Sequence, residues 1–248
     1  MPNTLRTPQG RDIAYHLTDG TGPAIVFLGG FKSDMEGSKA TYLEAWAKRE
    51  GRAFLRFDYS GHGQSSGAFT DGAIGDWYED ACAAIGLLAG PLVLVGSSMG
   101  GWIALQIARA EPDRIAGLVG IAAAPDFTED GFHANFTDEQ RAQLARDGQV
   151  PLPSEYGEPY IITKRLIEEG RDRLVLRDPL SLPFPVRLLQ GTEDTSVSSE
   201  TALRLLNHAD SPDMHLTHVK GADHSFSDEV CLPLITQAIS EVSRSSAV

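Results

Sequence analysis

Two serines meet where an apolar run gives way to glycines in "LVLVGSSMGGWIALQIA", residues 92–108. A serine hydroxyl is a weak nucleophile near neutral pH, and it becomes useful only beside a base and a set of donors for the negative charge it creates. A strand that turns abruptly into a helix presents such a hydroxyl at its corner. The residues two before and two after then crowd together and are best small. Centred on Ser98 the stretch reads Gly96-Ser97-Ser98-Met99-Gly100 and meets that demand; centred on Ser97 it would need glycines where Val95 and Met99 stand. Ser98 is the candidate nucleophile and Ser97 its neighbour on the elbow.

The nucleophile needs an imidazole within hydrogen-bond reach and a carboxylate to fix the imidazole's tautomer, on loops that follow later strands in the order Ser, acid, His. Of seven histidines, His224 in "VKGADHSFSD" falls past the last expected strand and before the last helix, and is the candidate base. His16, His133, His208, His215 and His218 read as surface or satisfied side chains, and His62 in the glycine-rich "DYSGHGQSSG" as structural. Asp194 in "LLQGTEDTSV" follows a strand of the right character and is the candidate acid. Glu193 would point elsewhere if Asp194 faces the imidazole, and Asp223 adjoins His224 too closely to face it. Asp126, after another strand, is the second candidate. Backbone N–H groups of Met99 and Phe31 are the expected oxyanion donors, the latter from the loop after "AIVFLGG". Because that donor is main chain, the Phe31 side chain is free to line the pocket.

These residues require a scaffold of strands and helices. Continuous apolar runs at residues 24–30, 52–58, 91–97, 115–122 and 185–191 predict parallel strands buried on both faces. Helical patterns lie between or after them, at residues 38–50, 73–89, directly after Ser98, 199–209 and 228–243. In the second, Ile74, Trp77, Ala81, Ile85 and Leu88 form one apolar stripe. The alternation predicts an α/β fold with a doubly wound, mostly parallel sheet, and residues 3–7 and 11–17 an antiparallel hairpin at its edge. Residues 125–180 break the pattern with short helical stretches, prolines and aromatics but no strong buried strand. The expected organisation is a core of residues 1–124 and 181–248 with a small helical cap at 125–180. Phe127, Phe132, Phe136, Tyr156 and Tyr160 of that cap are candidates for the pocket wall.

Composition narrows the partners. The 248 residues are 42% hydrophobic, enough for one sizeable core, and the formal net charge of −13 disfavours nucleic acid or an anionic membrane surface. Cys82 and Cys231 lie outside any CxxC or Cys/His cluster, so no metal and no disulfide framework is expected, and both read as buried thiols of a reducing compartment. No run approaches the roughly 20 apolar residues that cross a bilayer. A cytoplasmic protein acting on a small-molecule or acylated substrate is the expectation; nothing in the sequence bears on oligomeric state.

With Ser98, Asp194 and His224 in place, the chain resembles the α/β-hydrolase superfamily. "GGFKSDMEGSKA", "FLRFDYSGHGQSSG", "LVGSSMGGWIALQIA", "VPLPSEY" and "PVRLLQGTEDTSV" are similar to its mitochondrial palmitoyl-protein thioesterase and acyl-glucuronide esterase branch and to bacterial relatives of that branch. The resemblance runs over nearly the whole chain. It implies a serine hydrolase without a cofactor, a covalent acyl-enzyme, and ester or thioester substrates whose acyl group lies beneath the cap. Many relatives carry Val-Pro after the catalytic aspartate, whereas Ser198 stands at the proline's place here. An acyl-protein (palmitoyl) thioesterase is one form of this reading; a carboxylesterase, a lactonase or a C–C bond hydrolase would use the same triad. A non-catalytic receptor would be expected to lack a triad member, and a dehalogenase to carry aspartate at position 98.

Overall fold

A computed structural model of the chain describes residues 1–153 and 158–244. It opens with the expected hairpin, β1 (Asn3–Arg6) and β2 (Asp12–Thr18), followed by β3 (Thr21–Leu28), α1 (Ser38–Arg49), β4 (Arg52–Phe57), α2 (Ile74–Ile85), β5 (Leu92–Ser97), α3 (Met99–Ala110) and β6 (Ile115–Ile121). A π-helical segment (Phe127–His133), α4 (Asp138–Asp147), β7 (Gln149–Leu152), β8 (Tyr160–Thr163) and α5 (Lys164–Arg171) come next. The chain then runs through β9 (Leu180–Ser181), β10 (Val186–Gly191), α6 (Ser199–His208), β11 (Ala209–Asp210), β12 (Met214–Val219) and α7 (Cys231–Arg244).

Eight strands form one sheet in the order β1-β2-β4-β3-β5-β6-β10-β12. The β1/β2 and β2/β4 pairs are antiparallel and the others parallel. Parallel strands covered by helices on both faces must be apolar at every position, which is why β5 and β6 are buried throughout. Successive side chains enter opposite layers: Ala24, Val26 and Leu28 of β3 and Leu92 and Leu94 of β5 pack into one core, Ile25, Phe27, Val93 and Val95 into the other. Among the described residues no helix is long and apolar enough to cross a membrane.

Helix ends differ from expectation where local chemistry overrides periodicity. The stripe on α2 is buried from Ile74 to Ile85, but the helix ends at Ile85, and Leu87 and Leu88 N–H groups bond the carbonyls of Ala84 and Ile85 in tight turns. Leu88 still packs against the same core from beyond the helix. α7 starts at Cys231 because the Asp228 carboxylate accepts the N–H groups of Val230 (2.9 Å) and Cys231 (2.7 Å). In the segment expected to be helical only, β7 and β8 pair as an antiparallel hairpin with Val150 and Ile162 buried. Four-residue strands, one holding Pro151, carry too short an alternation to be read from sequence. Cys231 is buried, while Cys82 is only partly so.

The corner between β5 and α3 is the tightest constraint on the site. A Cβ on Gly96 would lie 2.4 Å from the Gly100 carbonyl oxygen, and one on Gly100 would lie 2.1 Å from that of Leu28. Both obstacles are backbone and cannot swing aside. Gly100→Ala is therefore expected to cost roughly 3 kcal/mol of unfolding free energy. Gly90→Ala, at φ +78° with open space around it, should cost only about 1 kcal/mol, the conformational penalty alone. Equal losses in chemical denaturation would contradict this account of the corner.

Candidate active site

Ser98 occupies the corner with φ 53° and ψ −117°. A non-glycine residue there carries about 1–3 kcal/mol of strain, sustained only by its surroundings. Its N–H donates to Ile121 O (2.9 Å), and its carbonyl accepts from Gly101 N (2.9 Å) and Ala124 N (3.1 Å), so both sides of the residue are fastened to β6 and α3. Ser97 is buried behind it. Met99 supplies the first N–H of α3, a group that no helical carbonyl can serve.

Asp194 and His224 approach each other because the loops after β10 and β12 are laced together. Thr192 N donates to Val219 O and Glu193 N to Ala222 O, each at 3.0 Å, and Gly221 N to Thr192 Oγ1 at 2.9 Å. Gly191 permits this approach, since a Cβ there would stand 2.2 Å from Ala222 O. The Asp194 carboxylate is fully buried and accepts from His224 Nδ1 at 2.9 Å. It also accepts from Ser196 N (2.9 Å), Val197 N (2.8 Å) and Gln190 Nε2 (3.0 Å). Burial alone would raise its pKa, but the His224 hydrogen bond and the two backbone N–H groups outweigh it and hold the carboxyl below its ordinary range. With a carboxylate opposite, Nδ1 carries the proton and Nε2 is left as the acceptor.

The rival acids are engaged elsewhere. Asp126, fully buried, accepts from Val175 N (2.8 Å), Leu176 N (3.0 Å) and Arg177 Nη1 (3.2 Å). Asp223 turns back to Ser225 Oγ and Phe226 N, and Glu193 is exposed. Ser198 caps α6 by accepting from Thr201 N (3.4 Å). Other histidines face local partners: His16 lies 3.4 Å from Glu36, His133 3.3 Å from Glu129, His215 3.4 Å from Asp213, and His208 bonds Asp178 O.

Three supporting residues carried no readable signal or only a faint one. Gln190, polar and buried at the end of an apolar strand, is the one a close reading could have marked; its Nε2 bridges Asp194 Oδ2 and Val197 O, both at 3.0 Å. Lys39 reaches from α1 to the loop bearing His224, donating to Ser225 O and, at 3.3 Å, to Ser227 Oγ. Burial there lowers its pKa to about 8. His62, read from sequence as structural, has a partner that the sequence did not indicate: Lys32 N donates to its Nε2 at 3.1 Å.

Ser98 and His224 line one cavity of about 1000 Å³. Phe127, Phe132, Phe136 and Tyr160 all line it too, while Tyr156 lies outside the described residues. Phe31 also lines it and stands at the centre of an aromatic cluster, with ring centroids 4.8 Å from Phe69, 5.6 Å from Phe127, 5.8 Å from Phe132 and 5.6 Å from Tyr160. Lys32, Ser38, Lys39, Ser225 and Ser227 add polar lining to the same cavity, with Lys32 Nζ 5.4 Å from the Tyr160 ring centroid.

The chain belongs to the α/β-hydrolase superfamily: residues 23–154 match the family "Serine aminopeptidase, S33", and the mostly parallel eight-stranded sheet is that of the fold. It is thus an enzyme of the hydrolase class that includes esterases and thioesterases. It is 34% identical to "Palmitoyl-protein thioesterase ABHD10, mitochondrial" of Rattus norvegicus over 96% of this chain and 81% of that protein. The solved structure of "Alpha/beta hydrolase domain-containing protein 10 from mouse" superposes with a TM-score of 0.92 at 32% identity, covering 100% of both chains. A crystal structure from Agrobacterium vitis S4 gives a TM-score of 0.94 at 38% identity over 98% of each chain.

His62 offers a measurable consequence. Burial pushes its imidazole down from 6.5 to about 4, against the smaller upward pull of the Ser60 carbonyl. The unfolded chain takes up this proton near pH 6.5 while the folded chain refuses it until about 4, so its contribution to stability is full above 6.5 and declines as pH falls through that window. The loss by pH 4 is about 3 kcal/mol. His62→Gln should flatten that part of the curve of unfolding free energy against pH; identical slopes in the two proteins would contradict the assignment.

Proposed function

We propose that the protein hydrolyses acyl esters and thioesters through Ser98, His224 and Asp194 by way of an acyl-enzyme. The observation that carries this reading is the buried Asp194 carboxylate on His224 Nδ1, 2.9 Å away, on the cavity where Ser98 is strained into the elbow. His224 Nε2 takes the Ser98 proton as Oγ attacks the acyl carbonyl. The negative charge that moves to the carbonyl oxygen is received by the Met99 and Phe31 N–H groups. As the tetrahedral intermediate collapses, the imidazolium returns its proton to the departing thiol or alcohol. Water, deprotonated by the same imidazole, then attacks the Ser98 ester and releases the acid. Asp194, held below the usual carboxylate range, stays ionised throughout and stabilises the imidazolium.

Residues 125–180 form the cap in this reading, and its aromatic side chains on the cavity support an apolar acyl group lodged beneath it. The identity to palmitoyl-protein thioesterases supports a thioester, with an acylated protein or small acyl thioester as partner. The net charge of −13 argues against a nucleic-acid partner. A cytoplasmic setting has the support of the two free cysteines.

A fluorophosphonate probe is expected to label the wild type and not Ser98→Ala, and Asp194→Asn to lower kcat on the order of 10⁴-fold. Equal labelling of both proteins would end the proposal. Matched p-nitrophenyl esters and acyl thioesters from acetyl to palmitoyl should give a higher kcat/KM for the thioesters; an ester preference throughout would move the assignment to a carboxylesterase.

A further inference from the structure

The loop after β3 holds Phe31 between two pinned peptides. On its N-terminal side, Gly30 O accepts from Ser33 N (3.2 Å) and Ser33 Oγ (2.8 Å). The carbonyl and N–H of a trans peptide point in opposite directions, so this grip on Gly30 O aims the Phe31 N–H away from the turn. That N–H donates to no acceptor among the described residues. Gly30 also sits against the nucleophile, since a Cβ on it would be 3.5 Å from the Ser98 Cβ.

On the C-terminal side, the next peptide donates Lys32 N–H to His62 Nε2 at 3.1 Å. Lys32 has φ +59°, a left-handed conformation that a lysine adopts only when something holds it there. His62 is suited to hold it. Its Nδ1 faces Ser60 O at 3.1 Å, which places the proton on Nδ1 and leaves Nε2 as a lone-pair acceptor. The ring is 3% exposed and packed edge-on by Tyr59, Phe69 and Trp77, so it stays neutral and cannot turn. Ser60 O receives Trp77 Nε1 as well (3.1 Å), and Ser60 N and Oγ donate to the buried Asp80 carboxylate at 2.9 and 2.6 Å. Arg11 Nε holds that carboxylate from the other side at 2.6 Å. A continuous hydrogen-bonded chain thus runs from Arg11 on the surface side of α2 to the peptide beside Phe31.

We propose that His62 and Ser33 are positioning residues for transition-state charge, fixing the two peptides that flank Phe31 so that its N–H is aimed before substrate arrives. This inference rests on the proposed role of the Phe31 N–H as an oxyanion donor. A preformed donor stabilises the transition state more than the ground state, so its loss appears in kcat and not in KM. Any acceptor that reaches Lys32 N should serve in place of the imidazole. Glutamine sets its amide oxygen near the position of Nε2, and asparagine falls a bond short.

The test compares His62→Asn, His62→Gln, Ser33→Ala and Ser33→Thr with wild type on p-nitrophenyl acetate, together with inhibition by a trifluoromethyl ketone that forms a tetrahedral adduct. His62→Asn and Ser33→Ala should lower kcat by on the order of 10-fold or more and weaken the ketone in parallel, with KM within about 2-fold. His62→Gln and Ser33→Thr should recover most of both. Wild-type kcat in either His62→Asn or Ser33→Ala overturns the inference, as does an equal fall in the conservative variants. Should both His62 variants fail to fold, the Ser33 pair decides, because that side chain is exposed. Ser98→Ala separates the two levels: if it retains turnover the triad reading fails, whereas a dead Ser98→Ala beside a fully active His62→Asn removes only the present inference.

Discussion

No side chain fits at Gly96 or Gly100, where β5 turns into α3 against the carbonyl oxygens of Leu28 and Gly29, and the position of Ser98 follows from that exclusion. Because α3 starts directly at Met99, its first N–H groups converge on the residue before it. Because β5 lies between β3 and β6 at the centre of the sheet, the loops leaving its neighbours meet at the same end. The loop after β3 brings Phe31, that after β6 brings Ala124 and Phe127, and those after β10 and β12 bring Asp194 and His224. A side chain at Gly100 would push the corner away from β3, and one at Gly96 would push α3 off the end of β5.

Backbone strain gathers around this corner. Among the described residues, the non-glycines with positive φ are Lys32, Ser98, Ala122, Asp126 and Phe226. Lys32, Ser98 and Ala122 are held by hydrogen bonds from distant segments, Lys32 N by His62, Ser98 N by Ile121 O and Ala122 N by Leu189 O, and Phe226 N by the Asp223 carboxylate within its own turn. Asp126 holds itself through its carboxylate on Val175 N and Leu176 N. Strained residues persist where their surroundings over-determine them, and here the surroundings are the loops of one cavity.

Much of this was legible in the sequence because it depends on spacing. The glycines on either side of Ser98 are a local steric requirement, and the apolar runs of β3 to β6 and β10 reflect burial on both faces, so elbow and sheet could be read together. Asp194 and His224 were legible by order along the chain. What could not be read depends on which loops meet in space. Lys39 lies 186 residues from the carbonyl it holds, and His62 lies 30 residues from Lys32. The β7/β8 hairpin was hidden by its brevity, and the end of α2 by a stripe whose last member, Leu88, packs correctly from outside the helix.

The claim on which all else rests is that the acyl group passes through Ser98. Wild-type protein mixed with a slowly deacylating aryl ester, quenched in acid at early times and digested, should yield the peptide containing Ser98 heavier by one acyl group, in step with a burst of released phenol. An unmodified Ser98 peptide accompanying a full burst, or the acyl mass on any other residue, would contradict the account.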